Sequence, residues 1–200
     1  MTETTQSVVY FSSSGKANTA RTLSLARERA HELGIKKALV ATTSGETGAL
    51  AASRLNACEV IAVSHSTGFQ APDQQELQLE YISVIESAGG KILTAQHAMG
   101  GINRAIRRKF NTFQIDEVIA HTLRMFGNGF KVCLEMCLMA ADAGLVRTDE
   151  AVLCIAGSGG GADTALILQP ANAQDFFNLR LLEIICLPSP NHPEFKRETT

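Results

Sequence analysis

Short runs of Val, Ile, Leu and Ala alternate with helix-length stretches along most of this chain, and no other feature restricts its fold so strongly. The apolar runs are Ser7–Phe11, Ala38–Ala41, Val60–Val63, Ile92–Ala95 and Ala151–Ile155. Runs this short and this uniformly apolar suit parallel strands that are covered on both faces. Between them the apolar spacing predicts helices over Thr19–Leu33, Thr47–Leu55, Gln74–Ala88, Ile115–Phe126 and Phe130–Ala143. Gly34, Gly89-Gly90 and Gly144 follow three of these helices and suit left-handed C-terminal caps. Repeated strand–helix–strand units require right-handed crossovers and a parallel sheet.

Two later runs, Ala165–Leu168 and Glu183–Leu187, also read as strands. Ala165 follows the Ala151 strand after only a glycine-rich loop, which leaves no room for a crossover helix, so these two strands must run antiparallel. The expectation is one α/β domain over residues 1–200, with a mostly parallel mixed sheet and an antiparallel edge strand. The tail 188–200, with three prolines and several charges, reads as irregular.

Hydrophobic residues at 45% and charged residues at 19% describe a chain able to bury a core. A net charge of -2 gives no general attraction to nucleic acid or acidic membranes. The start, MTETTQSVVYF, lacks the basic region and apolar stretch of a secretory signal. No apolar run approaches the ~18 residues of a spanning helix. The chain therefore reads as cytoplasmic, with no nucleic-acid or membrane partner; self-association is left open. The five cysteines form no close Cys-x-x-Cys pair, and Cys133 and Cys137, one helical turn apart, read as core fillers rather than half of a metal site.

In an open α/β sheet, ligands bind outside the carboxyl ends of the parallel strands. Five loops lie there, and each is rich in Gly, Ser, Thr or His. Thr42-Thr43-Ser44-Gly45-Glu46-Thr47-Gly48 opens a helix, where amides, hydroxyls and the helix dipole favour an anion. The same residues would also make an ordinary capped turn. Ser12-Ser13-Ser14-Gly15-Lys16 has the same character with an added lysine, and it is similar to the hydroxyl-and-glycine phosphate loop of flavodoxins. It lacks the spacing of a Walker loop. Gly157-Ser158-Gly159-Gly160-Gly161-Ala162-Asp163-Thr164 suits close approach of a ligand, with Asp163 binding a ligand hydroxyl or amide or capping the turn. His65, in His65-Ser66-Thr67-Gly68-Phe69, and His97 follow the third and fourth strands and are the candidates for acid–base work or ligand binding. The basic stretch Arg104, Arg107, Arg108 and Lys109 reads as a solvated helix face or an anion guide. Lys131 and Glu135, one turn apart, read as a pair at the rim of the core.

ALVATTSGETGALAASRL with EVIAVSH, and EAVLCIAGSGGGADTALILQP, resemble the C-terminal domain of pyruvate kinase over roughly Lys36–Ala171. That resemblance implies that Thr42, Thr43, Ser44, Gly45 and Thr47 contact phosphate and that Gly159–Thr164 covers it. Glu46 stands where the kinase loop often carries a basic residue, which weakens a doubly phosphorylated sugar as ligand. The kinase's catalytic barrel has no counterpart, so kinase chemistry is not implied. GKANT, SGETG, TLRMFGNGFKVCLEM, MAADAGLV and GADTALIL are similar to a stand-alone, mostly prokaryotic family of pyruvate-kinase-C-terminal-domain-like proteins. This second resemblance implies a three-layer α/β/α sandwich and a flavin mononucleotide (FMN) ligand. The expected function is binding of a phosphate-bearing small molecule, FMN first. The alternatives are a non-catalytic sensor of a phosphorylated metabolite and, last, a hydrolase or isomerase using His65 or His97.

Overall fold

The computed structural model describes residues 2–196. The strands are β1 (Val9–Phe11), β2 (Lys37–Ala41), β3 (Glu59–Ser64), β4 (Lys91–Thr94), β5 (Val152–Ala156), β6 (Thr164–Gln169) and β7 (Arg180–Pro188). The helices are α1 (Thr19–Leu33), α2 (Glu46–Arg54), α3 (Leu79–Ser87), α4 (Ile102–Phe110), α5 (Ile115–Leu123) and α6 (Asn128–Asp142). The strands form one sheet in the order β1-β7-β6-β5-β2-β3-β4.

Only β6 is reversed. It runs antiparallel to both β5 and β7, while β1 runs parallel to β7. The mixed, mostly parallel sheet is as expected, but the antiparallel strand is internal rather than at the edge. The reason is that β7 returns against β6 and then offers its far side to β1, so the start of the chain covers the edge. Every strand except β6 thus points its carboxyl end to the same rim.

Successive residues of each strand face opposite layers, as the pleat requires. Ala38 and Val40 of β2, with Leu153 and Ile155 of β5, pack beneath Leu23, Ala26 and Ala30 of α1 and the alanines of α2. Leu39, Val152, Cys154 and Leu166 face the other way, against Phe130, Cys133, Leu134 and Cys137 of α6. The result is an α/β/α sandwich with α1, α2 and α3 on one face and α6 on the other. Leu23, Ala26 and Ala30 recur at helical spacing and are fully buried; burying a leucine in this way contributes about 1.5–3 kcal/mol. Cys133, Cys137 and Cys154 lie together in the α6 layer, and burial pushes the thiols of Cys133 and Cys154 well up.

Several boundaries differ from expectation. The helix predicted from Gln74 begins at Leu79, because the residues before it are tied elsewhere. Gln75 Oε1 accepts the amides of Glu76 and Leu77, Gln75 Nε2 donates to His65 O, and the Gln78 amide donates to Ser44 O. These bonds hold a non-helical strap across the rim. Pro188 closes β7, Pro193–Lys196 makes a 3₁₀ turn, and residues 197–200 of the expected irregular tail lie outside the described residues. No helix among the described residues is long and apolar enough to cross a membrane.

Candidate functional site

The loops leaving β1, β2, β3, β4 and β5 surround a cavity of about 550 Å³ at the common rim. Lys16, Thr42, Thr43, Ser44, Glu46, Thr47, His65, His97, Gly157, Gly159, Gly160 and Gly161 line it, all from the predicted loops. Its volume falls inside the ~300–1,000 Å³ range of small-molecule sites.

The turn between β2 and α2 opens onto this cavity. Thr42 Oγ1 accepts the Gly45 amide at 3.1 Å, and Ser44 Oγ accepts the Glu46 amide at 3.4 Å. The turn is therefore capped from within, yet no acceptor among the described residues meets the amides of Thr47 and Gly48. Those amides and the helix dipole make an electropositive patch beside the hydroxyls of Thr43, Ser44 and Thr47. Gly45 adopts φ +104°, and a Cβ there would lie 2.5 Å from Tyr81 Cβ. Only glycine permits the turn to sit this close to α3.

Lys16 and Glu46 meet at 2.7 Å across the mouth, both more than half exposed. The carboxylate holds the lysine ammonium in its charged form and raises its pKa. Lys16 thus offers an anion a cation that already has a partner.

Some predicted residues are placed away from the cavity. Ser12 and Ser14 are exposed on the β1 loop and do not line it. Asp163 is fully buried and spends both oxygens on the chain. Oδ2 accepts the amides of Gly15 (2.8 Å) and Ser158 (3.1 Å), and Oδ1 accepts the Thr164 hydroxyl (2.8 Å). Asp163, Gly15 and Thr164 are therefore a clamp joining two loops rather than ligand contacts. The glycines of the β5–β6 loop divide likewise. A Cβ on Gly157 would lie 2.4 Å from Gly161 O, and one on Gly161 would lie 2.4 Å from Thr19 Oγ1, whereas Gly159 and Gly160 face open space. Close approach at Gly157 and Gly161 is to the chain itself. Gly45 supports the turn without lining the cavity, and Thr67 is exposed outside it. Gly68 and Phe69 wall a second cleft of about 130 Å³ with Arg104 and Arg108, and His97 borders both spaces.

The two histidines form the wall where the cavity meets this cleft. His65 Nδ1 lies 2.6 Å from Glu76 Oε2, and His97 Nδ1 lies 3.7 Å from Glu135 Oε2. Their ring centroids are 5.4 Å apart, and Phe69 packs on both. The Arg104 guanidinium sits 4.8 Å above Phe69. Arg107, in contrast, pairs with Glu117 on α5. Lys131 and Glu135 do pair, but inside the protein rather than at the core's rim, being 6% and 4% exposed. Glu135 Oε1 also accepts the Met99 amide at 3.0 Å.

Burial lowers the His97 pKa, opposed by Glu135 and reinforced by His65, Lys131 and Arg104. Burial also lowers Lys131, against Glu135. Above the ordinary His value of 6.5 the imidazole is neutral in both folded and unfolded chains. As pH falls through that value the unfolded chain takes up a proton that the folded one resists, so stability is lost. Denaturant unfolding between pH 7.5 and pH 5 is expected to show that loss, and His97→Gln is expected to reduce it; an unchanged slope in the variant would refute the assignment.

Sequence reasoning missed the cavity floor: Val63 and Ser64 of β3, and Val132, Glu135, Met136 and Met139 of α6. The last four recur at i, i+3, i+4 and i+7, one face of a helix, and a carboxylate within that apolar stripe was the available signal. Glu76 was hidden by the helix predicted over it.

The fold and rim define an open α/β protein with a ligand-sized cavity at the carboxyl ends of its parallel strands. Residues 20–168 match the family model of the pyruvate kinase alpha/beta domain; that is more than half of the 200 residues, and the chain belongs to this family. Among solved structures, the NH3-dependent NAD synthetase from Campylobacter jejuni subsp. jejuni NCTC 11168, in complex with the nitrate ion, is similar at 15% identity and a TM-score of 0.39, over 71% of this chain and 56% of that one. The chain thus spans little more than half of the synthetase's length.

Proposed function

We propose that the protein binds a phosphate-bearing small molecule at this rim, with FMN as the leading candidate. One observation carries the reading: the unpartnered amides of Thr47 and Gly48 and the hydroxyls of Thr43, Ser44 and Thr47 gather where α2 opens onto a 550 Å³ cavity. A phosphate there would take the place that water otherwise fills at a helix N-terminus. The rest of the cavity suits a flat, partly apolar group. Val132, Met136 and Met139 supply an apolar floor, and His65 and His97 supply planar faces at one wall. FMN, when bound, supplies hydride and electron transfer. Lys16 would turn from Glu46 toward the phosphate and offset the repulsion of that carboxylate.

The purified protein is expected to carry the visible absorption of a flavin, or to take up added FMN at micromolar concentration. A hydrogen bond to a charged group contributes about 1.5–3 kcal/mol. Thr47→Val is therefore expected to weaken FMN binding by roughly tenfold or more, as measured by fluorescence titration. A colourless preparation that binds no FMN at micromolar levels defeats FMN as the ligand.

A second reading, a non-catalytic sensor of a phosphorylated metabolite, is favoured by the Lys16–Glu46 pair, since an anion that breaks it would leave a structural signal at the mouth. A thermal-shift screen of sugar phosphates and nucleotides tests it, because a bound ligand raises the melting temperature. Absence of any shift removes it.

A further inference from the structure

We propose that His65 and His97 are an acid–base pair that moves protons on a small phosphorylated hydroxycarbonyl compound, an inference that rests on the phosphate site just described and takes such a compound in place of FMN as its occupant. Both imidazoles line the cavity, and each turns Nδ1 toward a carboxylate, Glu76 for His65 and Glu135 for His97. At His65, where the carboxylate is within hydrogen-bond distance, it holds the proton on Nδ1 and leaves a lone pair on Nε2. No partner among the described residues meets Nε2 of either ring. Phe69 packs on both rings, at 4.1 and 5.0 Å between centroids, and fixes their planes. The sequence places no carboxylate beside either histidine; the strap before α3 and the apolar face of α6 bring Glu76 and Glu135 there.

Two features favour proton transfer at carbon over attack by a hydroxyl. The nearby Ser64 hydroxyl is engaged with Thr94 Oγ1 at 2.7 Å, so neither imidazole has an activated nucleophile. The floor formed by Val132, Met136 and Met139 is apolar and offers no proton to a carbanion. In the step, His65 Nε2 takes the proton from the carbon beside the carbonyl, and the C–H electron pair shifts onto the carbonyl oxygen to give an enediolate. His97 Nε2 takes the neighbouring hydroxyl proton and returns it to the former carbonyl oxygen. His65 then delivers its proton to the adjoining carbon. One proton changes carbon, one changes oxygen, and no oxidant is consumed. Glu76 steadies the His65 imidazolium, while Glu135, Lys131 and Arg104 set the charge around His97.

The test is deuterium exchange. The full chain is incubated in D₂O with dihydroxyacetone phosphate, ribulose 5-phosphate and fructose 6-phosphate. Carbon-bound protons are followed by ¹H NMR and binding by ³¹P NMR. Exchange at the carbon beside the carbonyl is expected for at least one of these compounds. His65→Gln should slow it by about 100-fold, in line with the ~10²–10⁴-fold contribution of general acid–base groups. Glu76→Gln removes the carboxylate that meets His65 Nδ1 at 2.6 Å and should slow exchange with the ³¹P binding signal kept, while Glu76→Asp should restore part of the rate; a merely structural Glu76 would change binding and exchange together. Binding without exchange, exchange retained in His65→Gln, or release of inorganic phosphate overturns the proposal and leaves the phosphate site standing. Absence of any ³¹P change with all three compounds overturns this proposal alone, and the phosphate site is then judged by the FMN titration.

Discussion

Asp163→Ala is expected to lower stability by about 3–5 kcal/mol, since it strands three donors together: the amides of Gly15 and Ser158 and the Thr164 hydroxyl. In a chain of this size that corresponds to a fall of roughly 10 °C in melting temperature by calorimetry. Asp163 is 0% exposed, so water cannot replace the lost acceptor without opening the loops. The isosteric Asp163→Asn is a sharper measurement. An amide oxygen at the Oδ2 position can still accept both backbone N–H groups, while the amide nitrogen donates to the Thr164 hydroxyl. Asn is therefore expected to cost less than half as much as Ala, the remainder reflecting the weaker acceptor strength of a neutral oxygen. Equal losses for the two variants would mean that charge, rather than the number of acceptor positions, holds the clamp.

The second large effect is expected at Glu135. Replacing it with Ala leaves the Lys131 ammonium buried without its partner and removes the acceptor of the Met99 amide. Breaking a buried pair from one side costs about 3–5 kcal/mol. The double variant Lys131→Met, Glu135→Leu takes away both charges and is expected to recover most of that loss, because apolar replacements of similar volume are often neutral. Urea unfolding of the two variants checks this: a double variant as unstable as Glu135→Ala would place the cost in the lost Met99 contact instead. Since Glu135 also faces His97 and the cavity, the recovered protein separates the stability of this pair from any part it plays toward a ligand.

The sheet and its rim were legible because they depend on local pattern. The bounds of α1, Thr19–Leu33, follow from its apolar spacing and the glycine after it. The polar loops after β1, β2, β3 and β5 were found because a parallel strand must be followed by a turn at the ligand-binding end. Long-range contacts were not legible. Residues Gln74–Gln78 have helical character, yet bonds to His65 and Ser44 hold them out of the helix, and only the folded chain brings those partners together. Asp163 looked like a ligand group because a carboxylate among glycines usually faces solvent; its burial depends on Gly15, 148 residues away. The site's α6 wall was concealed by its resemblance to an ordinary core helix, and nothing within one helix states which apolar stripe meets a cavity and which meets a sheet.

The pairing of β1 with β7 alone has a temporal meaning. During synthesis the ribosome releases β2 to β5 long before Arg180–Pro188, and those strands can dock on one another as they emerge. The first strand must wait, its edge unmatched, until Arg180–Pro188 has been made. The loop that carries Lys16 can be clamped only once Asp163 has emerged, so a nascent chain holds the β2–α2 turn before it can close the wall opposite.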